Sequence, residues 1–164
     1  MLSRKVLIQN VQNLTDARYF AAWGVEYLSF TFKNDAELGN LITRCKEIVE
    51  WVEGPVLMGE FQEDDFMFIQ AVIDELSLQA IVHPKESILH KIPSPVQKFI
   101  SNVNGIYSIS LPEVIQFQHV SDLSIQEIQD LSSNTGIILS SSEEEKVGFK
   151  SYDEIDEIFE MLEI

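Results

Sequence analysis

The chain has 164 residues, 45% of them hydrophobic, and it carries a formal net charge of -16 at pH 7 from 11 basic and 27 acidic side chains. This length and apolar content predict one domain with a substantial core, whereas the absence of a basic stripe argues against nucleic acid as a partner. The sequence contains no run of about 18 apolar residues, the length that would predict a membrane span. The single cysteine excludes an intramolecular disulfide.

The start of the chain predicts a strand, a helix and a second strand. The first strand, at residues 4–10, begins so early that we expect no signal peptide and a cytoplasmic location. A helix follows over residues 14–23, with Asn13 as its N-cap and Gly24 at its C-terminal end. The second strand follows at residues 26–32, and such short connections predict a right-handed unit with parallel strands.

Alternating strands and amphipathic helices continue along the chain. Further strands are predicted at residues 55–61, 79–83, 96–101, 114–118 and 136–140. Helices are predicted over residues 35–53 and 87–91, and after the capping residues Asp64, Asp65, Ser124 and Ser151. Cys45 lies on the apolar face of the second helix, so we interpret it as a packing residue and not as a reactive thiol.

The opening stretch carries a resemblance to a known enzyme family. Residues 6–32, V-L-I-Q-N-V-Q-N-L-T-D-A-R-Y-F-A-A-W-G-V-E-Y-L-S-F-T-F, resemble the start of phosphoribosylanthranilate isomerase, V-K-I-C-G-I-T-N-x-x-D-A-x followed by A-A-x-x-G-A-D-x-x-G-F-x-F. The matching residues are Asn13, Asp16, Ala17, Ala21, Gly24, Phe30 and Phe32. Residues 76–86, L-S-L-Q-A-I-V-H-P-K-E, are similar to the family's L-x-x-D-A-V-Q-L-H-G-D-E with one residue missing. The resemblance implies an α/β fold of the TIM type, a (β/α) barrel, as one domain over residues 1–164.

The barrel must be a reduced one, because a complete eightfold barrel usually needs about 200 residues or more. The length is missing between Ser101 and Pro112, where the family has its fifth helix, sixth strand and sixth helix. Asn104-Gly105 is a turn signal, and too few residues remain for a crossover helix, which needs about a dozen. We therefore predict that residues 106–110 run antiparallel to the fifth strand and that Pro112 turns the chain back, so that eight strands close with one of them reversed.

The chemistry that the resemblance implies is largely replaced. Family members carry out an Amadori rearrangement in tryptophan biosynthesis, with a cysteine base on the first strand and an aspartic acid on the sixth. Gln9 stands at the cysteine position and Asn10 at the glycine that follows it. Residues 107–111, at the sixth strand, contain no acid. An amide has no useful pKa for general base catalysis, so the sequence predicts a pseudoenzyme.

The family's phosphate site is also altered. Its G-G pair after the seventh strand corresponds to Gln118 and His119, and its D-V-S-S-G-V-E motif corresponds to residues 138–144. Ser140 and Ser141 match that motif, but Ser142 replaces its glycine, and glutamates 143–145 stand where a dianion would dock. Backbone amides approach a phosphate closely where glycines allow it, so this pattern disfavours phosphate binding.

Polar residues nevertheless gather at the carboxyl ends of the predicted strands. The ligand-binding candidates are Gln9, Asn10, His83, Gln118, His119, Ser140, Ser141 and Ser142. The two histidines and the nearby Glu60 show no metal-ligand spacing, so no metal and no cofactor is expected. Water alone would also satisfy such a polar barrel mouth.

Three functions remain open, and the sequence favours the first. The chain is a non-catalytic homologue of the isomerase kept for binding or assembly, a small-ligand binder or enzyme of another kind, or an isomerase that uses other residues. A small molecule and a second copy of the chain, in a homodimer, stay open as partners, whereas nucleic acid and membrane are not expected.

Overall fold

Eight strands form a closed barrel in the computed structural model, which describes residues 1–93, 95–110, 115–140 and 152–164. The strands are β1 (Val6–Gln9), β2 (Tyr27–Phe32), β3 (Val56–Phe61), β4 (Ala80–His83), β5 (Gln97–Asn102), β6 (Gly105–Ser108), β7 (Gln116–His119) and β8 (Thr135–Ser140). The helices are α1 (Leu14–Trp23), α2 (Leu38–Trp51), α3 (Phe66–Leu76), α4 (Glu86–Leu89), α5 (Ile125–Gln129) and α6 (Tyr152–Leu162). Each strand pairs with its neighbour in sequence and β8 pairs with β1, so the predicted (β/α) barrel is confirmed.

Local capping signals explain where the helices begin and end. Asn13 Oδ1 accepts a hydrogen bond of 2.8 Å from the Asp16 amide at the start of α1, and Gly24 ends that helix with a φ of 83°. The side chains of Asp65 and Ser124 accept equivalent bonds at the starts of α3 and α5. The predicted cap Ser151 lies outside the described residues. Side-chain acceptors at these positions satisfy amides that have no partner within the helix.

Helix α2 is shorter than predicted. It spans Leu38–Trp51, whereas the sequence pattern predicted residues 35–53. Its N-cap residue, Glu37, makes no side-chain hydrogen bond to the helix, and Asp35 instead accepts a 3.0 Å bond from the Glu37 amide in the preceding turn. An aspartate that bonds the backbone two residues ahead favours a turn over a helix, and this accounts for the later start.

β5 and β6 form an antiparallel hairpin, which confirms the predicted reversal, although β6 spans Gly105–Ser108 and the predicted reversed stretch was residues 106–110. β6 runs antiparallel to both β5 and β7, while every other neighbouring pair in the barrel is parallel. The turn is displaced by one residue from the predicted position, because Asn102 pairs with Gly105 and residues 103–104 form the loop. Pro112, which was predicted to turn the chain back, lies outside the described residues.

Gly105 is required by its contact with β7. A Cβ atom at this residue would lie 2.1 Å from the carbonyl oxygen of Phe117, and the φ angle of 148° is itself unfavourable for other residues. A glycine therefore lets the backbones of the hairpin and of β7 approach closely.

Two apolar cores lie on the two sides of the barrel wall. The inward side chains fill the lower part of the barrel, where Tyr27 contacts Phe99 and Phe117 edge-on at centroid distances of 5.5 and 5.7 Å. The outward side chains pack under the helices, and Cys45 is fully buried among them. Burial raises the pKa of the Cys45 thiol to about 12, so its interpretation as a packing residue is confirmed. No helix in the described part of the chain combines the length and apolarity that crossing a membrane requires.

Candidate functional site

A buried carboxyl lies at the carboxyl-terminal mouth of the barrel. Side chains alternate along β3, so Glu60 points inward like Met58 beneath it. Gln9, the last residue of β1, donates a hydrogen bond of 2.8 Å from Nε2 to Glu60 Oε1. The Thr31 hydroxyl donates to the other carboxyl oxygen at 3.3 Å. Three strands thus hold one carboxyl group above the apolar filling of the barrel.

Burial dominates the electrostatics of Glu60. Its side chain has only 9% of its surface exposed, and this desolvation raises its pKa above the ordinary value of 4.5. The nearby Gln9, Thr31 and Ser29 each oppose the shift and favour the ionised form. Ser29 Oγ is buried and makes no hydrogen bond among the described residues, so its effect is a weaker one of proximity.

A cavity of about 420 Å³ opens above this carboxyl. It is lined by Gln9, Glu60, Gln62, Val82, Pro84, Ser101, Asn102, Val103, Gly105, Ile106 and His119. No lysine or arginine is among these described lining residues. The volume lies within the range of small-molecule sites, about 300–1,000 Å³.

His119 is the second titratable group of the cavity. It ends β7, and partial desolvation lowers the pKa of its imidazole below 6.5. No hydrogen bond joins the ring to another described residue. The ring is therefore neutral near pH 7 and can donate or accept one hydrogen bond from a ligand.

The structure places only some of the predicted site residues around the cavity. Gln9 and His119 line it, and Ser140, at the end of β8, pairs in register with Gln9. Asn10 is exposed beside a neighbouring crevice, with a φ of 57° and its carbonyl bonded to Gln12. Gln118 points to the outer face of the barrel, since it alternates with the inward Phe117. Ser141 and Ser142 lie outside the described residues.

His83 is oriented away from the cavity. It is fully buried on the outer side of β4, and its Nε2 atom lies 2.8 Å from the carbonyl oxygen of Glu63. Its Nδ1 atom accepts a 2.9 Å hydrogen bond from the Lys85 amide. Both ring nitrogens therefore hold loop backbone, which fixes the tautomer with hydrogen on Nε2 and leaves no atom for a ligand at the mouth.

Glu60 is the site residue whose role the sequence did not reveal. The sequence pattern indicates it only as a neighbour of two histidines, and among the described residues no group of three or more acidic, histidine or cysteine side chains could hold a metal ion. The available signal was its inward position on β3, in register with Thr31 on β2. A charged residue at an inward strand position is uncommon and indicates a site.

Eight strands with helices outside and polar groups at the carboxyl ends define a TIM-type (β/α) barrel. No protein-family model and no curated protein sequence matches the chain.

Comparison with solved structures supplies the relatives. The chain resembles a monomeric form of the dimeric phosphoribosylanthranilate isomerase from Thermotoga maritima. The TM-score is 0.67, with 16% identity over 97% of this chain and 98% of that one. It resembles the enzyme from Thermus thermophilus with a TM-score of 0.64 and 16% identity, over 96% and 98% of the two chains. A complex of the enzyme with reduced 1-(o-carboxyphenylamino)-1-deoxyribulose 5-phosphate gives a TM-score of 0.66 and 14% identity, over 97% and 98%. At these identities the comparison establishes a shared fold.

Proposed function

We propose that the chain is a non-catalytic homologue of phosphoribosylanthranilate isomerase whose barrel mouth binds a small polar molecule. The observation that carries this proposal is the 2.8 Å hydrogen bond between Gln9 and Glu60. Gln9 stands at the position of the family's base, but its amide cannot take up a proton from the substrate. Moving the amide away from Glu60 would also break the hydrogen bond that satisfies the buried carboxyl.

The position of the family's acid supports the same proposal. β6 has the sequence G-I-Y-S and runs antiparallel to both neighbours. A reversed strand carries its carboxyl end to the opposite rim of the barrel, so its last residue, Ser108, lies away from the mouth. General acid and base groups each contribute about 10²- to 10⁴-fold to a rate, and the loss of both would remove most of the catalysis.

Charge at the mouth is also unfavourable for the family's substrate. A related isomerase structure holds a 5-phosphate ligand, and such a dianion needs donors or cations around it. The described lining of this cavity offers no lysine or arginine and includes Glu60, in a chain of net charge -16. Both the local and the overall field therefore oppose a phosphorylated substrate.

One observation favours a second candidate, isomerisation through other residues. Glu60 is a buried carboxyl with a raised pKa, and it shares a cleft with the imidazole of His119. A carboxyl perturbed in this way is typical of general acids and bases. In this candidate, the neutral imidazole of His119 would replace the cysteine as base, and Glu60, whose raised pKa favours the protonated carboxyl, would supply the acid.

The test is turnover of phosphoribosylanthranilate by the purified chain, together with growth of a tryptophan auxotroph that lacks the isomerase. We expect no turnover and no growth, with wild type and with the Gln9→Cys variant, because the acid and the phosphate site would still be absent. Turnover by wild type would refute the proposal. Turnover lost in Glu60→Gln but kept in Glu53→Gln, the same change at an exposed glutamate, would establish the second candidate. We propose a homodimer as the assembly to examine by light scattering, since one structural neighbour is dimeric.

A further inference from the structure

The Glu60 carboxyl has hydrogen-bonding capacity left over. Oε1 accepts one bond from Gln9, at 2.8 Å, and Oε2 accepts one from Thr31, at 3.3 Å. A carboxylate has about four acceptor positions, so acceptor capacity remains after Gln9, Thr31 and the nearby Ser29 hydroxyl are counted. Glu60 lines the cavity, so its small exposed fraction faces that space. A ligand in the cavity can therefore reach this carboxyl directly.

No positive charge in the described part of the chain competes for that carboxyl. Glu60 forms no ion pair, and no lysine or arginine lines the cavity, among the residues that the structure describes. A buried carboxylate without a counter-charge is costly, and its pKa is raised for that reason. A cation that entered the cavity would supply the missing counter-charge. The neutral imidazole of His119 would not repel it.

The rest of the cavity combines an apolar wall with further acceptors. Val82 and Ile106 are buried inward residues of β4 and β6, and they can pack against alkyl carbons. Gln62 and Asn102 belong to the same lining. Asn102 Oδ1 already accepts a 2.8 Å hydrogen bond from the Asn104 amide and can accept one more. An ammonium group has three donors and no acceptor, so it matches a carboxylate that still has acceptor sites open to the cavity.

We propose that the cavity selects small organic ammonium compounds, with the ammonium group on Glu60 and the alkyl part against Val82 and Ile106. This selection rests on the proposed function of the barrel mouth as a ligand site. It reverses the charge preference that a phosphorylated substrate requires. The amine donates to the remaining acceptor capacity of the carboxyl, while the Gln9 and Thr31 bonds hold that carboxyl in place.

The test compares three ligands with similar four-carbon chains but different charges: n-butylamine, 1-butanol and butyrate. Each is titrated into the protein at pH 7.5 and low salt. Binding is followed by chemical shift changes of backbone amides in a uniformly labelled sample. We expect n-butylamine to bind at least roughly tenfold more tightly than 1-butanol, since hydrogen bonds to charged groups exceed neutral ones. We expect butyrate to bind most weakly. In Glu60→Gln the preference for the amine should fall to within about twofold, whereas Glu53→Gln should keep it.

Each other outcome overturns a distinct part of the proposal. Equal binding of 1-butanol and n-butylamine, with shifts at cavity residues, would leave the ligand site standing and refute its charge selection. Tighter binding of butyrate would refute it as well. The absence of shifts at cavity residues with all three probes would refute the ligand site itself. The order of the probes on wild type is decisive even if the Glu60→Gln variant does not fold.

Discussion

The two halves of the barrel wall differ on their outer faces and agree on their inner ones. Along β1 to β4 the outward residues are buried beneath helices and, apart from His83 at the end of β4, most are apolar, as Leu28, Phe30 and Ile81 show. Along β5 to β7 the outward residues include Lys98, Tyr107, Gln116 and Gln118, which are only partly buried. Within the described residues, no helix lies between β5 and β7. A strand that loses its covering helix thus keeps its place in the wall when its outer face is polar.

The inner faces show no such division. Leu7 and Met58 from the parallel part and Phe99, Ile106 and Phe117 from the hairpin are all buried in one cluster. Reversing a strand leaves the alternation of its side chains intact, so β6 still supplies Ile106 to the interior. The barrel is therefore closed by its inner core, while the helix layer outside can be incomplete.

The largest expected effect contrasts the two outer faces directly. Replacing Phe30, which is 1% exposed on β2, by alanine should lower the free energy of unfolding by about 3–5 kcal/mol because it leaves a cavity under the helices. Replacing Tyr107 on β6 by alanine should lower it by less than about 1 kcal/mol, the scale of an exposed cross-strand pair. Urea unfolding of both variants measures the difference. Equal losses would show that the hairpin's outer face is covered in solution.

A smaller effect is expected at the hairpin itself. Gly105→Ala should cost at least about 2 kcal/mol, since it combines an unfavourable φ with a clash against the Phe117 carbonyl. Its matched control is Gly39→Ala in α2, where an added Cβ meets no atom within 4 Å. The control should stabilise the protein by about 0.4–1 kcal/mol. A Gly105→Ala variant as stable as the control would contradict the close approach of β6 to β7.

Much of the fold was predictable because its signals are local. Asn13, Gly24 and Ser124 cap helices through residues at most four positions away in sequence. The reversed strand was predictable from the short length of chain, in which no crossover fits between β5 and β6, and from the turn signal at Asn104-Gly105. The position of the turn was not, because Gly105 is fixed by its distance to Phe117 and not by the conformation of the turn.

The site was predicted less completely, since it depends on closure of the barrel. The replacement at Gln9 was visible in the sequence, but its partner Glu60 lies 51 residues away and on a different strand. His83 was expected at the mouth because it ends a strand, yet its place on the outer side of β4 turns it towards the loop backbone. The sequence pattern thus identifies which residues end a strand. Whether their side chains face the barrel interior or its outer side depends on the register of the sheet.

The smallest expected effect is a pH dependence of opposite sign in the two regions. Glu60, in the parallel part, has a raised pKa, so the folded state binds its proton more tightly than the unfolded state does. Its contribution to stability is greatest below the ordinary value of 4.5 and is lost as the pH rises towards the folded pKa. The difference in unfolding free energy between wild type and Glu60→Gln should therefore fall with rising pH.

His119, in the hairpin region, should give the opposite slope. Its pKa is lowered, so the unfolded state binds the proton more tightly and stability falls as the pH drops through 6.5. The difference between wild type and His119→Gln should rise with pH and level off above 6.5, with a smaller amplitude because His119 is exposed and water screens its charge. Urea unfolding of the three proteins from pH 4 to pH 8 measures both slopes, and subtracting wild type cancels the titration of the remaining acidic residues. If both variants gave flat differences, the mouth would be open to water in solution and neither group would be desolvated as the structure shows.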